Sequence, residues 1–196
     1  MNIGIDFDGV VFDFERNLVI EAEVFDYELQ QKGLQNGIRD KKKFKFQEKY
    51  NWDNESKQLF INNYLDKINT YSDLVPGSKW ILKKLKEENY NLIIISARGE
   101  HTPNEIKYAD KIIEKYKLKF DEINWNITDK AKMCKEKCID IFIDDRYENC
   151  RAVAEVGIKT IYFNELSYTE VEDTENLVVV NNWGQAYRKI KDWGEK

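Results

Sequence analysis

Only one histidine, His101, occurs among the 196 residues of this chain. A lone histidine argues against a histidine-based catalytic triad and against metal sites built from several histidines. The three cysteines, Cys134, Cys138 and Cys150, form no zinc-binding pattern, so we interpret them as reduced, packed thiols. No apolar run reaches the roughly 18 residues of a membrane span, and a net charge of -5 argues against a nucleic acid polymer or a membrane surface as partner. We therefore expect a soluble, cytoplasmic protein.

Hydrophobic residues make up 42% of the chain and aromatic residues 13%, enough to bury the core of one domain with a modest insertion. Five short apolar runs alternate with helix-length segments, which is typical of a parallel sheet joined by crossover helices. The runs lie at 3–5, 92–95, 139–143, 159–163 and 177–180, and helices are predicted at 78–89, 104–117, 129–137, 148–156 and 183–193. The sequence therefore predicts an α/β fold, a Rossmann-like parallel sheet in the middle of three layers.

The segment 14–73 separates the first two predicted strands by far more than the usual connection of about 2–6 residues. It is polar, helix-patterned and rich in aromatic side chains, which indicates a small helical cap inserted after the first strand. We therefore place the catalytic core at 1–13 and 74–196 and the cap at 14–73. A run of three lysines at 41–43 is interpreted as a solvated surface, with phosphate binding as the alternative.

The first predicted strand leads directly into two carboxylates, Asp6 and Asp8, followed by Gly9. Because the chain turns here, both carboxylates can point to one place above the carboxyl end of the strand. Burying two carboxylates together is unfavourable unless a cation neutralises them, and Mg²⁺ is a hard divalent ion that prefers oxygen ligands. The alternative is an ordinary solvated turn of Asp and Gly.

Polar side chains also end two further predicted strands. The sequence Ser96-Ala97-Arg98 follows the second strand, and Asp144-Asp145 follows the third. Because ligands bind at the carboxyl ends of the strands in an open parallel sheet, we expect these residues to meet the first acidic pair. With a lysine, they supply what phosphoryl transfer needs: a carboxylate nucleophile, a second acid, a cation, and donors for the equatorial oxygens.

Four segments in this order, Ile-Asp-Phe-Asp-Gly-Val, Ile-Ser-Ala-Arg, a lysine and Phe-Ile-Asp-Asp-Arg, resemble the four motifs of the haloacid dehalogenase superfamily of phosphohydrolases. The resemblance implies that Asp6 is the nucleophile and that Asp8 is the general acid and base. The presence of Asp8 argues against dehalogenation, because the dehalogenases of the superfamily lack that acid. An α/β core with a cap is the fold that the resemblance implies.

The same resemblance implies a set of phosphate-binding residues. Ser96 would bind a phosphoryl oxygen, with Ala97 and Arg98 completing the motif around the phosphate. The lysine of the family opens the helix before the second acidic pair. Lys130 fits that position best, because it follows a potential capping residue, and Lys132 is the alternative.

The implied cofactor is Mg²⁺. Its ligands would be the Asp6 carboxylate, the backbone carbonyl of Asp8 and a carboxylate of the second acidic pair. Of that pair, Asp145 is favoured as the direct ligand, with Asp144 holding a metal-bound water. The sequence leaves the choice between these two acids open.

Within the superfamily, the chain is most similar to the cytosolic and mitochondrial 5′(3′)-deoxyribonucleotidases and their bacterial relatives. The shared features lie at 8–14, 74–77, 143–146 and 182–190. The resemblance implies hydrolysis of a (deoxy)nucleoside monophosphate through an aspartyl-phosphate intermediate. The nucleobase would stack on aromatic residues of the cap, although such residues more often form the core of a small cap. The candidates are Phe14, Phe44, Phe46, Trp52 and Phe60.

Other readings of the same residues remain open. Arg98, His101 and Arg146 are predicted in loops at the same face. Arg98 would either clamp the phosphate or sugar or only balance the charge of the neighbouring acids, and His101 would either contact substrate or be an exposed loop residue. The substrate would be a small phosphorylated molecule, either a nucleotide or a sugar phosphate. The acidic net charge disfavours an oligonucleotide end as substrate. A catalytically silent, receiver-like binding module is the alternative outside the enzymes, although receivers lack the long insertion. The sequence makes no prediction of the oligomeric state.

Overall fold

The computed structural model describes residues 1–29, 50, 52–100, 104–165 and 171–194 of the chain. Six strands within these residues form one sheet: β1 (Asn2–Ile5), β2 (Asn91–Ile95), β3 (Glu122–Asn124), β4 (Ile141–Asp144), β5 (Lys159–Phe163) and β6 (Leu177–Val180). Every pair of neighbouring strands is parallel, and the strands lie in the order β3-β2-β1-β4-β5-β6.

The described residues also form seven helices. These are α1 (Phe14–Glu28), α2 (Asn54–Tyr71), α3 (Ser78–Glu87), α4 (Asn104–Tyr116), α5 (Lys130–Glu136), α6 (Tyr147–Glu155) and α7 (Trp183–Gly194). The helices α1, α2 and α3 lie in sequence between β1 and β2, and the other four lie between or after the later strands. Parallel strands require such crossovers, because a short turn cannot bring the chain back to the same end of the sheet.

The strand order places a topological switch at the centre of the sheet. From β1 the chain moves outward to β2 and β3, and it then returns to add β4, β5 and β6 on the other side of β1. Ligands of open α/β sheets bind in the crevice outside the carboxyl ends of the strands at such a point. The crevice between β1 and β4 is therefore the expected site, and both strands end in aspartates there.

Both faces of the sheet are covered by helices, which explains why its strands are continuous apolar runs. Leu92 and Ile94 of β2 belong to the larger apolar cluster, with residues of α3, α4 and α7. Ile93 and Ile95, which point to the opposite face, belong to a second cluster with residues of α5 and α6. Gly4 of β1 faces this second cluster, where an added Cβ would lie 3.1 Å from the ring of Phe142. The close approach of these side chains favours glycine at that position.

The predicted α/β fold, with a parallel sheet between layers of helices, is confirmed. The five helices predicted after the insertion begin and end within two residues of the observed ones. Sequence analysis missed β3, a three-residue strand at the edge of the sheet. Its single apolar residue, Ile123, is flanked by polar side chains and is exposed, so the segment carries no hydrophobic pattern.

The two chain connections to α1 and α2 leave and re-enter the core side by side. The backbone N–H of Asp13 donates to the carbonyl of Asp73 at 2.8 Å, and that of Val75 donates to the carbonyl of Val11 at 2.9 Å. The helices between these connections share an apolar cluster of their own: Ala22, Phe25, Tyr50, Phe60 and Ile68. This separate cluster is what a small inserted cap requires, so the cap at 14–73 stays a prediction that the geometry supports.

Several sequence-based interpretations lie outside the described residues. They concern the three lysines at 41–43, the aromatic residues Phe44 and Phe46, and His101. Among the described helices, none has the length and apolar character that crossing a membrane requires.

Candidate active site

The turn after β1 places the carboxylates of Asp6 and Asp8 at the carboxyl end of this central strand of the sheet. The Asp6 backbone N–H still pairs with the carbonyl of Ile143 in β4, at 2.8 Å, and the chain then turns sharply. Gly9 has a φ of 72°, a backbone conformation that residues with a Cβ rarely adopt. A Cβ at Gly9 would also lie 1.9 Å from Oδ2 of Asp145. The glycine therefore permits both the turn and the close approach of the second acidic pair.

Three carboxylates, those of Asp6, Asp144 and Asp145, form the centre of the site. Each offers an oxygen within 4.8 Å of the other two. The pKa of Asp144 is raised to about 7, mainly because the group is buried and, to a lesser extent, because the charge of Asp6 is near. Burial, and then the charge of Asp144, raise the pKa of Asp145 well above its ordinary value. Carboxylates held this close are costly to ionise, so the cluster favours a cation.

The two acids of the second pair have different surroundings. Asp144 is fully buried, and its carboxylate accepts from the backbone N–H of Arg146 at 2.8 Å and from Nδ2 of Asn149 at 3.0 and 3.2 Å. Asp145 is partly exposed and packs against Gly9. Asn149 is a site residue that sequence reasoning missed, since an asparagine in the first turn of a helix has many ordinary uses.

The cluster fits a hard divalent cation. Its donors are oxygens of three carboxylates, which is the ligand chemistry that Mg²⁺ and Ca²⁺ prefer. Thiol and imidazole ligands are absent from the described part of this cluster, so a softer metal such as zinc fits it less well.

Lys130 opens α5 and reaches into the acidic cluster. Its Nζ donates to Oδ1 of Asp6 at 2.7 Å and to the backbone carbonyl of Ile95, and it lies 3.8 Å from Oδ2 of Asp144. Burial alone would lower the pKa of Lys130, but the charges of Asp6 and Asp144 outweigh it and raise that pKa. Lys132 instead pairs with Glu136 on the exposed surface of α5. The structure thus brings Lys130, rather than Lys132, to the nucleophile candidate.

The helix carrying Lys130 is fixed by its own cap. Oδ1 of Asp129 accepts from the backbone N–H of Lys132 at 3.0 Å, as the sequence predicted for this residue. The cap stabilises the start of α5 at Lys130, the residue that enters the site.

Ser96 and Ala97 follow β2 at the same edge. The register pairs Ile5 with Ile94, which places Ser96 one residue beyond the level of Asp6. Ser96 is buried, and its Oγ accepts from the backbone N–H of Arg98 at 3.3 Å. Ala97 is half-buried. Both residues stand where the predicted phosphate site lies, and phosphate binding by them stays a prediction.

Arg98 binds the carboxylate of Asp8. Its Nη2 donates to Oδ1 of Asp8 at 2.7 Å, and its Nε donates to both carboxylate oxygens at 3.1 and 3.2 Å. Its Nη1 donates to Oδ1 of Asn69 and to the backbone carbonyl of Glu105, both at 2.8 Å. Burial raises the pKa of Asp8, while Arg98 opposes that rise. Neither Asn69 nor Glu105 belongs to a recognisable motif, so no sequence pattern points to either residue.

Three aromatic candidates for nucleobase stacking fall within the described residues. Phe60 is buried in the cluster between α1 and α2, and Trp52 packs against the same cluster, with Nε1 donating to Oδ1 of Asp26 at 2.6 Å. Phe14 lies 5.5 Å from the guanidinium carbon of Arg98, measured to the ring centroid. Of the three, Phe14 is the one placed beside Arg98, the partner of Asp8.

Two sequence relatives carry nucleotidase names. The chain is 30% identical over 142 residues to "Putative nucleotidase YqfW" of Bacillus subtilis, a match that covers 71% of this chain and 67% of that protein. It is 26% identical over 202 residues to "Putative nucleotidase BH1399" of Halalkalibacterium halodurans, covering 97% of this chain and 92% of that protein. No family model matches the chain.

Solved structures share the fold at low sequence identity. The haloacid dehalogenase-like hydrolase SP0104 from Streptococcus pneumoniae superposes with a TM-score of 0.65 at 16% identity, covering 98% of this chain and 97% of that one. The "putative HAD-hydrolase YfnB" from Bacillus subtilis, solved bound to magnesium, gives a TM-score of 0.63 at 11% identity, with coverages of 97% and 98%. At these identities the likeness establishes the architecture.

Proposed function

Because the chain belongs to the haloacid dehalogenase superfamily of phosphohydrolases, we propose that it is a magnesium-dependent phosphomonoesterase. Its substrate is a (deoxy)nucleoside monophosphate, and its reaction passes through an aspartyl-phosphate. The observation that carries the proposal is the placement of Asp6, a buried carboxylate paired with Lys130 at 2.7 Å, two residues before Asp8. One carboxylate is thus held as a nucleophile and the second stands ready to transfer a proton.

In the first step, a carboxylate oxygen of Asp6 attacks phosphorus, and the bond between phosphorus and the substrate oxygen breaks. The electron pair goes to the departing oxygen, which takes a proton from Asp8. The raised pKa of Asp8 supports this role, because a carboxyl group that donates a proton near neutral pH must resist ionisation. The products are a free alcohol and the phosphorylated Asp6.

In the second step, Asp8 acts as the base. Its carboxylate takes a proton from a water whose oxygen attacks the phosphorus of the aspartyl-phosphate. The bond between phosphorus and Asp6 breaks, its electrons return to the carboxylate, and inorganic phosphate leaves. In both steps Asp6 carries the phosphoryl group and Asp8 transfers the proton, so the two reacting side chains both belong to the turn after β1.

The phosphate carries negative charge into a site that is already acidic, and two kinds of group offset it. Lys130 pairs with Asp6 and lies near Asp144, so its positive charge offsets part of the negative charge that the phosphate meets. Ser96, one residue beyond the level of Asp6, offers a hydroxyl for an equatorial oxygen of the phosphate. Such fixed donors stabilise charge best where water is excluded.

We assign the metal position to Asp6, the backbone carbonyl of Asp8, and the acidic pair Asp144 and Asp145. When bound, Mg²⁺ would supply positive charge that lets an anionic nucleophile approach an anionic phosphate. Asp145 is the direct carboxylate ligand from the pair, because its partner already accepts from Arg146 and Asn149. The magnesium-bound neighbour YfnB supports the choice of metal.

The inserted segment at 14–73 acts as the cap and the remainder, 1–13 and 74–196, as the catalytic core. The paired connections at Asp13 and Asp73 give the cap a narrow attachment beside the site. A cap that covers the phosphate would exclude water and strengthen the electrostatics beneath it. Phe14, in the first turn of α1, is the described aromatic residue placed to contact a substrate there.

The deciding experiment measures phosphate release from 5′- and 3′-(deoxy)nucleotides, sugar phosphates and an aryl phosphate, each with Mg²⁺ and with EDTA. Mg²⁺-dependent release that favours nucleotides would support the whole proposal. This is the result we expect, because both relatives carry nucleotidase names. Release from sugar phosphates alone would retain the chemistry and replace the substrate. Release from none of them would leave a silent binding module as the better account.

A further inference from the structure

Arg98 is bound on all sides by the protein. Its side chain is 2% exposed, whereas the carboxylate side chain of Asp8 that it grips is 30% exposed. The guanidinium is therefore closed off from solvent, whereas part of the Asp8 side chain is open to it. An arginine that binds a substrate phosphate needs donors that face the cleft, and the donors of Arg98 are directed to Asp8, Asn69 and the Glu105 carbonyl.

Aromatic rings enclose the guanidinium. Its carbon lies 5.5 Å from the ring centroid of Phe7, 5.0 Å from that of Phe12 and 5.5 Å from that of Phe14. These distances allow cation–π attraction, and the rings also leave the group little room to turn. Phe7 and Phe12 belong to the turn after β1, and Phe14 opens α1. The guanidinium thus stands where the core meets the inserted helices.

Asn69, on α2, is a hydrogen-bond partner of this guanidinium. It is 2% exposed and donates through Nδ2 to the carbonyl of Leu65 at 2.9 Å. That bond fixes the amide so that its Oδ1 accepts from Nη1 of Arg98 at 2.8 Å. A buried asparagine that bonds within its own helix and to a charged partner couples the position of the helix to that partner.

We propose that Asn69 and Arg98 are positioning residues that hold Asp8 in the orientation for proton transfer and that link this orientation to the placement of α2. The inference rests on the proposed function, since it assigns Asp8 the proton. It also moves Arg98 from the phosphate site, where the sequence resemblance put it, to the support of the acid. A chain of side-chain contacts, from Asn69 through Arg98 to Asp8, is the structural basis.

The role makes a distinctive demand on the leaving group. An alcohol such as a nucleoside departs poorly without a proton, whereas para-nitrophenolate departs well without one. Loss of the positioned acid therefore slows formation of the aspartyl-phosphate, which kcat/KM reports, far more from a nucleoside monophosphate than from para-nitrophenyl phosphate. The second step, in which Asp8 acts as the base, is the same for both substrates and does not enter kcat/KM. A general loosening of the structure would slow both reactions to the same extent.

The test compares Asn69→Ala with Ser72→Ala on both substrates. Ser72 is a matched control, because it is buried at the same end of α2 and its hydroxyl bonds to Asn17 and to the Ile68 carbonyl without touching Arg98. For Asn69→Ala we expect kcat/KM on the nucleotide to fall about 10-fold, and kcat/KM on para-nitrophenyl phosphate to change by less than about 2-fold. Ser72→Ala should preserve the ratio of the two rates.

A second variant, Arg98→Lys, keeps the positive charge but loses the planar, two-point grip on Asp8. We expect it to lower kcat/KM on the nucleotide about 10²-fold, again with a smaller loss on para-nitrophenyl phosphate. Activity of Arg98→Lys close to wild type on the nucleotide would overturn the proposal, because charge alone would then suffice.

Equal losses of kcat/KM on both substrates in Asn69→Ala, or the same selectivity in Ser72→Ala, would also overturn it. These results leave the proposed function intact, since the wild-type protein still releases phosphate. If the wild-type protein releases phosphate from neither substrate, the proposed function fails and the positioning role fails with it.

Discussion

Nζ of Lys130 donates to Oδ1 of Asp6 at 2.7 Å, with both side chains almost completely buried. The same ammonium donates to the backbone carbonyl of Ile95, so it joins α5 to the carboxyl ends of β1 and β2. A buried ion pair is costly to break from one side, because the remaining charge then has no partner. Lys130 therefore both stabilises this edge of the sheet and fixes the nucleophile candidate.

Replacing Lys130 by methionine should lower kcat for phosphate release by about 10²- to 10³-fold, the range seen when one charge-stabilising donor is removed. Lys132→Met is the matched control, since Lys132 lies on the same helix with its side chain 72% exposed. Steady-state kinetics of both variants, with circular dichroism to confirm folding, make the comparison. Equal losses in the two variants would contradict the placement of Lys130 at the nucleophile.

Gly9→Ala should abolish activity without unfolding the sheet. The substitution forces a Cβ into a backbone with a φ of 72° and to within 1.9 Å of Oδ2 of Asp145. The turn and Asp145 must then move apart, which displaces a predicted metal ligand. Gly157→Ala is the control, because Gly157 also has a positive φ, of 86°, but no atom lies within 4 Å of its added Cβ. Isothermal titration with Mg²⁺ should detect binding in the control and none in Gly9→Ala.

Much of the fold could be predicted because its signals are local. Strands buried on both faces are continuous apolar runs, and the crossover helices carry stripes and caps that read directly from the sequence. The edge strand β3 could not be predicted, since Ile123 is its only apolar residue and its position depends on pairing with β2. Pairing of that kind is a tertiary effect that overrides local preference.

The acidic motifs of the candidate site could be predicted from their positions at strand ends, together with the family resemblance. The surroundings of Arg98 could not. Its partners Asp8 and Asn69 lie 90 and 29 residues away in sequence, and nothing local distinguishes a phosphate-binding arginine from one that supports an acid. Trp52 is a similar case, because no local pattern distinguishes a tryptophan that stacks on a nucleobase from one that packs inside a cap.

Trp52→Phe should destabilise the protein without changing KM for a nucleotide substrate. Nε1 of Trp52 donates to the fully buried carboxylate of Asp26, and the indole packs against Phe25 and Tyr50 with ring centroids 5.0 Å away in each case. Phenylalanine retains packing but removes the donor, at a cost of about 1–3 kcal/mol. Urea denaturation and steady-state kinetics measure the two effects.

Trp80→Phe is the control for that experiment. Trp80 is 67% exposed, so its replacement should change stability by no more than about 0.5 kcal/mol. A large rise in KM for Trp52→Phe, with stability unchanged, would instead assign Trp52 to nucleobase stacking.

Mg²⁺ should raise the melting temperature, and the rise should be larger at about pH 8 than at about pH 5.5. The pKa of Asp144 is raised to about 7 by burial and by Asp6, and that of Asp145 is also raised. An acid whose pKa is raised by folding destabilises the metal-free protein increasingly as pH climbs from the ordinary value of 3.8, and fully above the folded pKa. At low pH, protons occupy these carboxylates and compete with the metal.

At about 100 times its dissociation constant, a ligand of the folded state stabilises by about 2.7 kcal/mol, which corresponds to several degrees for a chain of this length. Asp145→Asn should remove most of that rise at the higher pH. Asp140→Asn is the control, because Asp140 lies at the opposite end of β4, where it accepts from the backbone N–H of Asn2. Differential scanning fluorimetry with and without Mg²⁺ measures all three proteins. A rise that persists in Asp145→Asn, or that is independent of pH, would place the metal away from the acidic cluster.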